Sequence, residues 1–216
     1  MRIVKASATM MGNIDGERML RTIERAGRTC YKSEEKITDT SARQFVKMIS
    51  KNGHHSVLEH ASFSVLFVCD RGVSHEIVRH RLASYSQESS RYCNYSKEKF
   101  GNEITVIDPF FGAGSEARRL WEMAVGRSEI NYFAMLKEGL KPEMARSVLP
   151  NSLKTELVMT ANLREWHHFF TLRTAKAAHP QMREITIPLL AEVQSRIPVV
   201  FDGIRGYFDG SIELTD

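Results

Sequence analysis

The fourteen residues RHRLASYSQESSRY, Arg79 to Tyr92, concentrate hydrogen-bond donors to an unusual degree. Arg79, His80 and Arg81 stand in a row. Ser84, Ser86, Ser89, Ser90, Tyr85, Tyr92 and Arg91 follow, and the only carboxylate in the stretch is Glu88. Arginine presents a planar fork that suits bidentate binding of phosphate or carboxylate. Serine hydroxyls and loop N–H groups add neutral donors around an anion. The chemistry implied is a pocket for a phosphate-rich ligand. A solvated loop with turn-capping serines is the plain alternative, and it leaves the excess of donors unexplained. Ser89 and Ser90 lie in no G-x-S-x-G elbow, so a hydrolase nucleophile is a poor reading.

Other stretches invite chemistry and support it less well. GHHSVLEH, Gly53 to His60, gathers His54, His55, Glu59 and His60. Its order, H-x-x-x-E-H, matches neither H-E-x-x-H nor H-x-x-E-H. Packed, hydrogen-bonded histidines are the expectation, and no metal site is assigned. GAGSEA, Gly112 to Ala117, fits a loose dinucleotide fingerprint. Residues PFF separate it from the preceding strand, so the strand-to-helix turn is missing. Ser115 as a helix N-cap explains it more simply. A second basic group comprises Arg146, Arg164 and Arg173, with Asn162, His167 and His168 nearby. Helical spacing puts Arg164 and His168 on one side, with Arg173 offset by about one position.

The elements that must position these residues read as α+β. Helices are expected at Glu17–Arg28, Ser41–Lys51, Glu116–Lys137, Arg164–Lys176 and Pro180–Arg196. Ser74 is expected to cap a helix carrying Ile77, Val78 and Leu82 that delivers the Arg-His-Arg triplet. Gly126 should interrupt the long helix, and Pro188 should kink or break the last. Pro142 should open a short helix at its first turn. Strands are expected at Ala61–Asp70, Ile104–Ile107 and Lys154–Ala161. In the first of these Phe63, Val65, Phe67 and Cys69 share one face. The whole reads as one helix-rich domain over residues 1–216 with a small, mostly antiparallel sheet.

Bulk properties narrow the class. A chain of 216 residues buries roughly 70% or more of its unfolded surface. The net charge of +4 and pI near 9.0 suit an anion binder without demanding nucleic acid. Three cysteines with no C-x-x-C pair speak against a disulfide framework and for the cytoplasm. No apolar run approaches the roughly 20 residues of a membrane span.

Taken in order, several segments resemble the flavin-dependent thymidylate synthases. Arg79-His80-Arg81, seven further residues and Ser89 form that family's signature. GHHSVLEH, EMARSVLP (Glu143 to Pro150), TANLREWHHFFTLR (Thr160 to Arg173) and AHPQMREI (Ala178 to Ile185) look like its other segments. The resemblance implies an enzyme that reductively methylates dUMP to dTMP. Methylenetetrahydrofolate supplies the carbon, and FAD reduced by NADPH supplies the hydride. It implies FAD contacts at Ser56, Arg79, His80, Arg81, Gln87, Asn162, Arg164 and His168. It implies dUMP contacts at Glu76, Arg79, Gln87, Glu88, Ser89, Ser90, Arg91, Arg146 and Arg173. Arg173 would lie against the uracil ring and favour its N3-ionised form. Ser89 would position dUMP without forming a covalent bond, and His54 would position flavin or folate. A homotetramer with sites shared between subunits is also implied. Glu76, where an amide is common, and His168, where asparagine is common, depart from the family pattern. The competing class is a nucleic-acid-binding module built on Arg79, Arg81, Arg91 and Tyr85 or Tyr92.

Overall fold

The computed structural model describes residues 1–207; the end of the expected domain, residues 208–216, lies outside the described residues. The elements follow in chain order as β1 (Arg2–Val4), β2 (Ser7–Met10), α1 (Gly16–Tyr31), α2 (Ser41–Lys51), β3 (Ser62–Asp70), α3 (Arg71–Ile77), β4 (Ala83–Gln87), β5 (Thr105–Ile107), α4 (Glu116–Lys137), α5 (Pro142–Ala145), β6 (Lys154–Asn162), α6 (Leu163–Arg173) and α7 (Pro180–Arg196). Helix dominates, and the main sheet has four strands in the order β2-β3-β6-β4. This is the α+β class the sequence indicates. β1 and β5 pair separately and in parallel, with Ile3 opposite Val106. No helix among the described residues is long and apolar enough to cross a membrane.

The chain divides into two compact units, neither of them a continuous stretch. The first comprises Met1–Ser7, Val68–Val78 and Ser86–Leu157. Its core gathers Tyr95, Ile104, Val106, Val125, Tyr132, Ala145 and Leu153. The second comprises Ala8–Phe67, Arg79–Tyr85 and the chain from Val158 onward. Its core is aromatic. Trp166 stacks on Phe63 with ring centroids 4.7 Å apart and donates its indole N–H to the Phe63 carbonyl at 3.1 Å. Phe67, Phe169, Phe170 and Phe201 are buried in the same unit. Rings of this size each contribute about 1.5–3 kcal/mol when taken out of water.

Local sequence explains most boundaries. Alternation in β3 buries Phe63, Val65, Phe67 and Cys69 as expected. Asp15 caps α1 by accepting the Arg18 N–H at 2.9 Å. Ser115 caps α4 through the Arg118 N–H at 3.1 Å, which accounts for GAGSEA without a dinucleotide. Three expectations need correction. α4 runs unbroken through Gly126, and its Leu120, Met123 and Ile130 are exposed. α7 runs through Pro188 as one helix, so of the kink or break expected there the break does not occur. The helix after β3 starts at Arg71 and is capped by Asp70, which accepts the Val73 N–H at 2.6 Å. Ser74 is buried inside that helix and donates back to the Arg71 carbonyl. Asp at the strand's end supplies the cap one turn earlier, so α3 ends at Ile77. The Arg-His-Arg triplet then lies in the connection to strand β4.

α1 and α7 meet closely in the second unit. A Cβ placed on Gly16 would stand 2.0 Å from the Arg196 carbonyl oxygen, a backbone atom that cannot rotate away. Gly16→Ala is expected to cost on the order of 1–3 kcal/mol, the usual price of overpacking. Equilibrium urea unfolding checks this, and an unchanged midpoint would contradict the close approach.

Candidate active site

The second unit holds the triplet, and the three side chains separate by burial. Arg79 and Arg81 are exposed, whereas His80 is 4% exposed. Its Nδ1 lies 2.9 Å from Oε1 of Glu165, itself 6% exposed. Its Nε2 accepts the Nε–H of Arg173 at 3.0 Å. The ring packs edge-on against Phe169 and His168, with centroids 4.9 and 5.4 Å away. Tyr85, on β4, donates its hydroxyl to the His80 carbonyl at 2.6 Å. Burial pushes the Tyr85 phenol up to about 12, the Glu165 charge adds to this, and Arg173 offsets part of it. Tyr85 is therefore a neutral donor.

α6 brings Asn162, Arg164, Glu165, His168 and Arg173 together. It begins at Leu163, whose N–H bonds the Ala61 carbonyl at 3.0 Å. Asn162 caps it by accepting the Glu165 N–H at 2.9 Å. It closes at Arg173 because Thr174 turns its hydroxyl back onto the Phe170 carbonyl at 2.7 Å. Asn162, Arg164 and His168 line an open cleft of about 860 Å³, together with His55, Glu59 and His167. Arg164 meets Glu59 at 2.6 Å. Glu59 thus pairs with an arginine. His54 and Ser56 open onto a different cavity of about 780 Å³, walled by Tyr31, Phe45 and Met48, with Arg28 at its edge.

The first unit holds the remaining predicted residues. Gln87 donates to Ser74 Oγ at 3.0 Å and Thr155 Oγ1 at 3.2 Å. Glu88 is tied to β6: its N–H bonds the Glu156 carbonyl at 2.8 Å, and its carboxylate meets Lys154 Nζ at 3.0 Å. Tyr95 donates to the same carboxylate at 3.3 Å. Ser89 anchors a turn by accepting the backbone N–H groups of Tyr92 and Cys93. Ser90 is buried and accepts from Arg146 at 3.1 Å. Arg91 stands 3.8 Å from Glu143. Glu76 is half-buried on α3.

Sequence reasoning missed Glu165, Lys154, Glu143 and Tyr95. Lys154 could have been found, since a lysine on the strand beside Glu88 is its obvious partner. Glu165 gave no such signal, because a glutamate in a helix's first turn normally reads as solvated and dipole-favourable. All three cysteines are free, and burial beside Asp70 pushes Cys69 up to about 12.

Residues 14–199 match the family model described as thymidylate synthase complementing protein. The chain is 36% identical over 183 residues to a flavin-dependent thymidylate synthase of Geobacter sulfurreducens, covering 82% of this chain and 78% of that one. One from Pyrococcus abyssi is 36% identical over 186 residues, covering 83% and 76%. One from Mycobacterium sp. (strain JLS) is 33% identical over 215 residues, covering 89% and 83%. Among solved structures, the UMP/dUMP methylase PolB from Streptomyces cacaoi, bound with 5-Br dUMP, has the same fold. Its TM-score is 0.76 at 20% identity, over 94% of this chain and 96% of that one. The chain belongs to the thymidylate synthase complementing protein family, the family of the flavin-dependent thymidylate synthases.

Two histidines of the second unit carry a pH signature. His80 is held below the ordinary value of 6.5, chiefly by burial; the Glu165 bond opposes this and the Arg173 charge adds to it. His167 is lowered by burial and then by His55 and His168. The unfolded chain takes up these protons near pH 6.5, the folded chain only below that. Their contribution to stability is complete above about pH 6.5 and is lost as pH falls through the window beneath it. Urea midpoints should therefore be lower at about pH 5.5 than at about pH 8, and His167→Gln should narrow the gap. Equal midpoints would mean that these rings are not buried as described.

Proposed function

We propose that the chain is a flavin-dependent thymidylate synthase that reductively methylates dUMP to dTMP. Methylenetetrahydrofolate is the carbon donor and NADPH the reductant of FAD. The carrying observation is the family match over residues 14–199, with the motif residues falling on the second unit's cleft and the first unit's turn. The cleft fits the cofactor chemically. It is open, it exceeds 800 Å³, and it offers the Arg164 guanidinium, the Asn162 amide and the His168 ring to an anionic dinucleotide. Arg79 and Arg81 are exposed beside buried His80 and supply further cations. FAD supplies hydride chemistry when bound; the protein orients it and excludes side reactions.

The remaining roles belong to this chain's own groups. Ser90, Arg146, Ser89 and Arg91 make a donor cluster suited to the dUMP phosphate. Glu88 meets Lys154 and Tyr95, so its charge is offset within that cluster. Arg173 lies against the uracil ring. Making C5 nucleophilic moves electron density onto the ring, and a fixed guanidinium offsets that charge where water is scarce. Ser89 positions dUMP. His54 and Ser56 face flavin or folate from their own cavity. The active enzyme is a homotetramer in which each site draws groups from more than one subunit. Exposed Leu120, Met123 and Ile130 on α4 are apolar surface that a subunit contact would cover. Residues 1–216 act as one domain, and three free cysteines suit a reducing cytoplasm.

Purified protein mixed with FAD should show a flavin absorption band that bleaches when NADPH and dUMP are added. dTMP should appear once methylenetetrahydrofolate is present. A protein that binds no flavin and makes no dTMP would overturn the reading. Arg173→Ala should lower kcat by about 10²–10³, the usual cost of one preorganised donor, with a smaller change in KM for dUMP. Ser89→Ala should keep part of the activity, and complete loss with dUMP binding intact would make Ser89 a nucleophile.

A further inference from the structure

Glu165 belongs to no role described above, yet it is among the most buried charged groups of the second unit. Its contact with His80 decides the state of that ring. Arg173 Nε always carries a proton, so at 3.0 Å His80 Nε2 must present a lone pair. A neutral imidazole with that lone pair carries its proton on Nδ1, and Nδ1 faces the Glu165 carboxylate at 2.9 Å. The opposite tautomer would set two N–H groups head-on at Nε2 and two lone pairs face to face at Nδ1. A doubly protonated ring would oppose the Arg173 charge. One protonation state satisfies both contacts.

We propose that Glu165 is a positioning residue that acts through His80 on Arg173. It fixes the imidazole as the Nδ1–H tautomer, and the bare Nε2 then aims the Arg173 guanidinium. A guanidinium's donors share one plane, so anchoring Nε sets the direction of the whole fork. The anchor is rigid at every joint. Glu165 is placed by the Asn162 cap on its own N–H. The His80 backbone is held by Tyr85 and its ring by Phe169. The Arg173 carbonyl accepts from Thr186 at 2.9 Å.

A metal site is the rival reading, since His80, Glu165 and His168 bring ligand atoms within 4.8 Å of one another. It fails on chemistry. Both His80 nitrogens are committed, one as donor and one as acceptor, and a fixed guanidinium beside the ring opposes a second cation.

The catalytic consequence rests on the Arg173 role proposed above; the tautomer does not. Ring nitrogen–proton spectra of protein labelled with ¹⁵N-histidine read the tautomer directly, with His80 assigned by its absence from His80→Gln. The expected signal at neutral pH is a neutral ring protonated at Nδ1. In Glu165→Gln the amide can donate to Nδ1, so the Nε2–H form should gain population. That variant should also lose dTMP formation by about 10- to 100-fold, the equivalent of one hydrogen bond to a charged group, mostly in kcat. His80→Gln keeps an acceptor oxygen for Arg173 but breaks the link to Glu165. Adding Glu165→Gln to it should therefore cost little more. A wild-type ring protonated at Nε2 or at both nitrogens would overturn the proposal. So would an equal loss from Glu165→Gln in both backgrounds, which is what a merely structural glutamate would give. A wild type that makes no dTMP would sink the functional reading while the ring spectrum still decides the relay.

Discussion

A carboxylate taken out of water costs free energy that only a well-placed donor offsets. In the second unit one such carboxylate is Glu165, and the donor is a histidine that must itself stay neutral to be buried. Much of the surrounding structure follows from this pair. α6 has to begin where Glu165 can reach His80, and the Asn162 cap fixes that start. The Trp166 bond to the Phe63 carbonyl pins the same turn of helix to β3. Phe169 packs edge-on against both Trp166 and the imidazole, which ties the ring to the aromatic core. Hydrophobic packing and polar satisfaction are one arrangement here, because the aromatic core is what keeps water from the Glu165–His80 hydrogen bond.

The first unit solves the same problem differently. Glu88 is half-buried and meets two partners, Lys154 and Tyr95. Burial pulls the Lys154 ammonium down, but its bonds to Glu156 and Glu88 prevail and hold it charged. Burial pushes the Tyr95 phenol up, with Glu88 adding to the effect. Both groups therefore remain donors to Glu88 across the physiological range. The turn from Ser89 to Cys93 hangs from this braced strand end, so Ser90 is presented to Arg146 by a fixed frame rather than by a free loop.

The sequence exposed this design unevenly. β3 and α7 were legible because burial repeats at strand or helix spacing, and periodicity is a local property. α3 was misplaced because two residues could cap it, and the choice between Ser74 and Asp70 was made by where the strand ends. α4 was bounded correctly while its apolar residues were not placed, since a helix can form around a stripe that its own unit leaves exposed. Arg79, His80 and Arg81 read as three equivalent donors. Their separation into two exposed cations and one buried neutral ring depends on Glu165 and Arg173, more than eighty residues away. No local pattern carries a pairing of that range.

That separation bears on why a histidine stands between two arginines. Position 80 is enclosed, and its two neighbours along the ring edge are an anion and a cation. An arginine or lysine there would satisfy Glu165 and repel Arg173. An aliphatic residue would leave the buried carboxylate without a donor. A glutamine reaches one partner at a time. Imidazole alone among the side chains offers a donor and an acceptor on opposite edges of a rigid ring. It can therefore join a buried carboxylate to a guanidinium without adding charge. Arg79 and Arg81 stand free of that demand because they are exposed, and the middle residue is set by what it must connect.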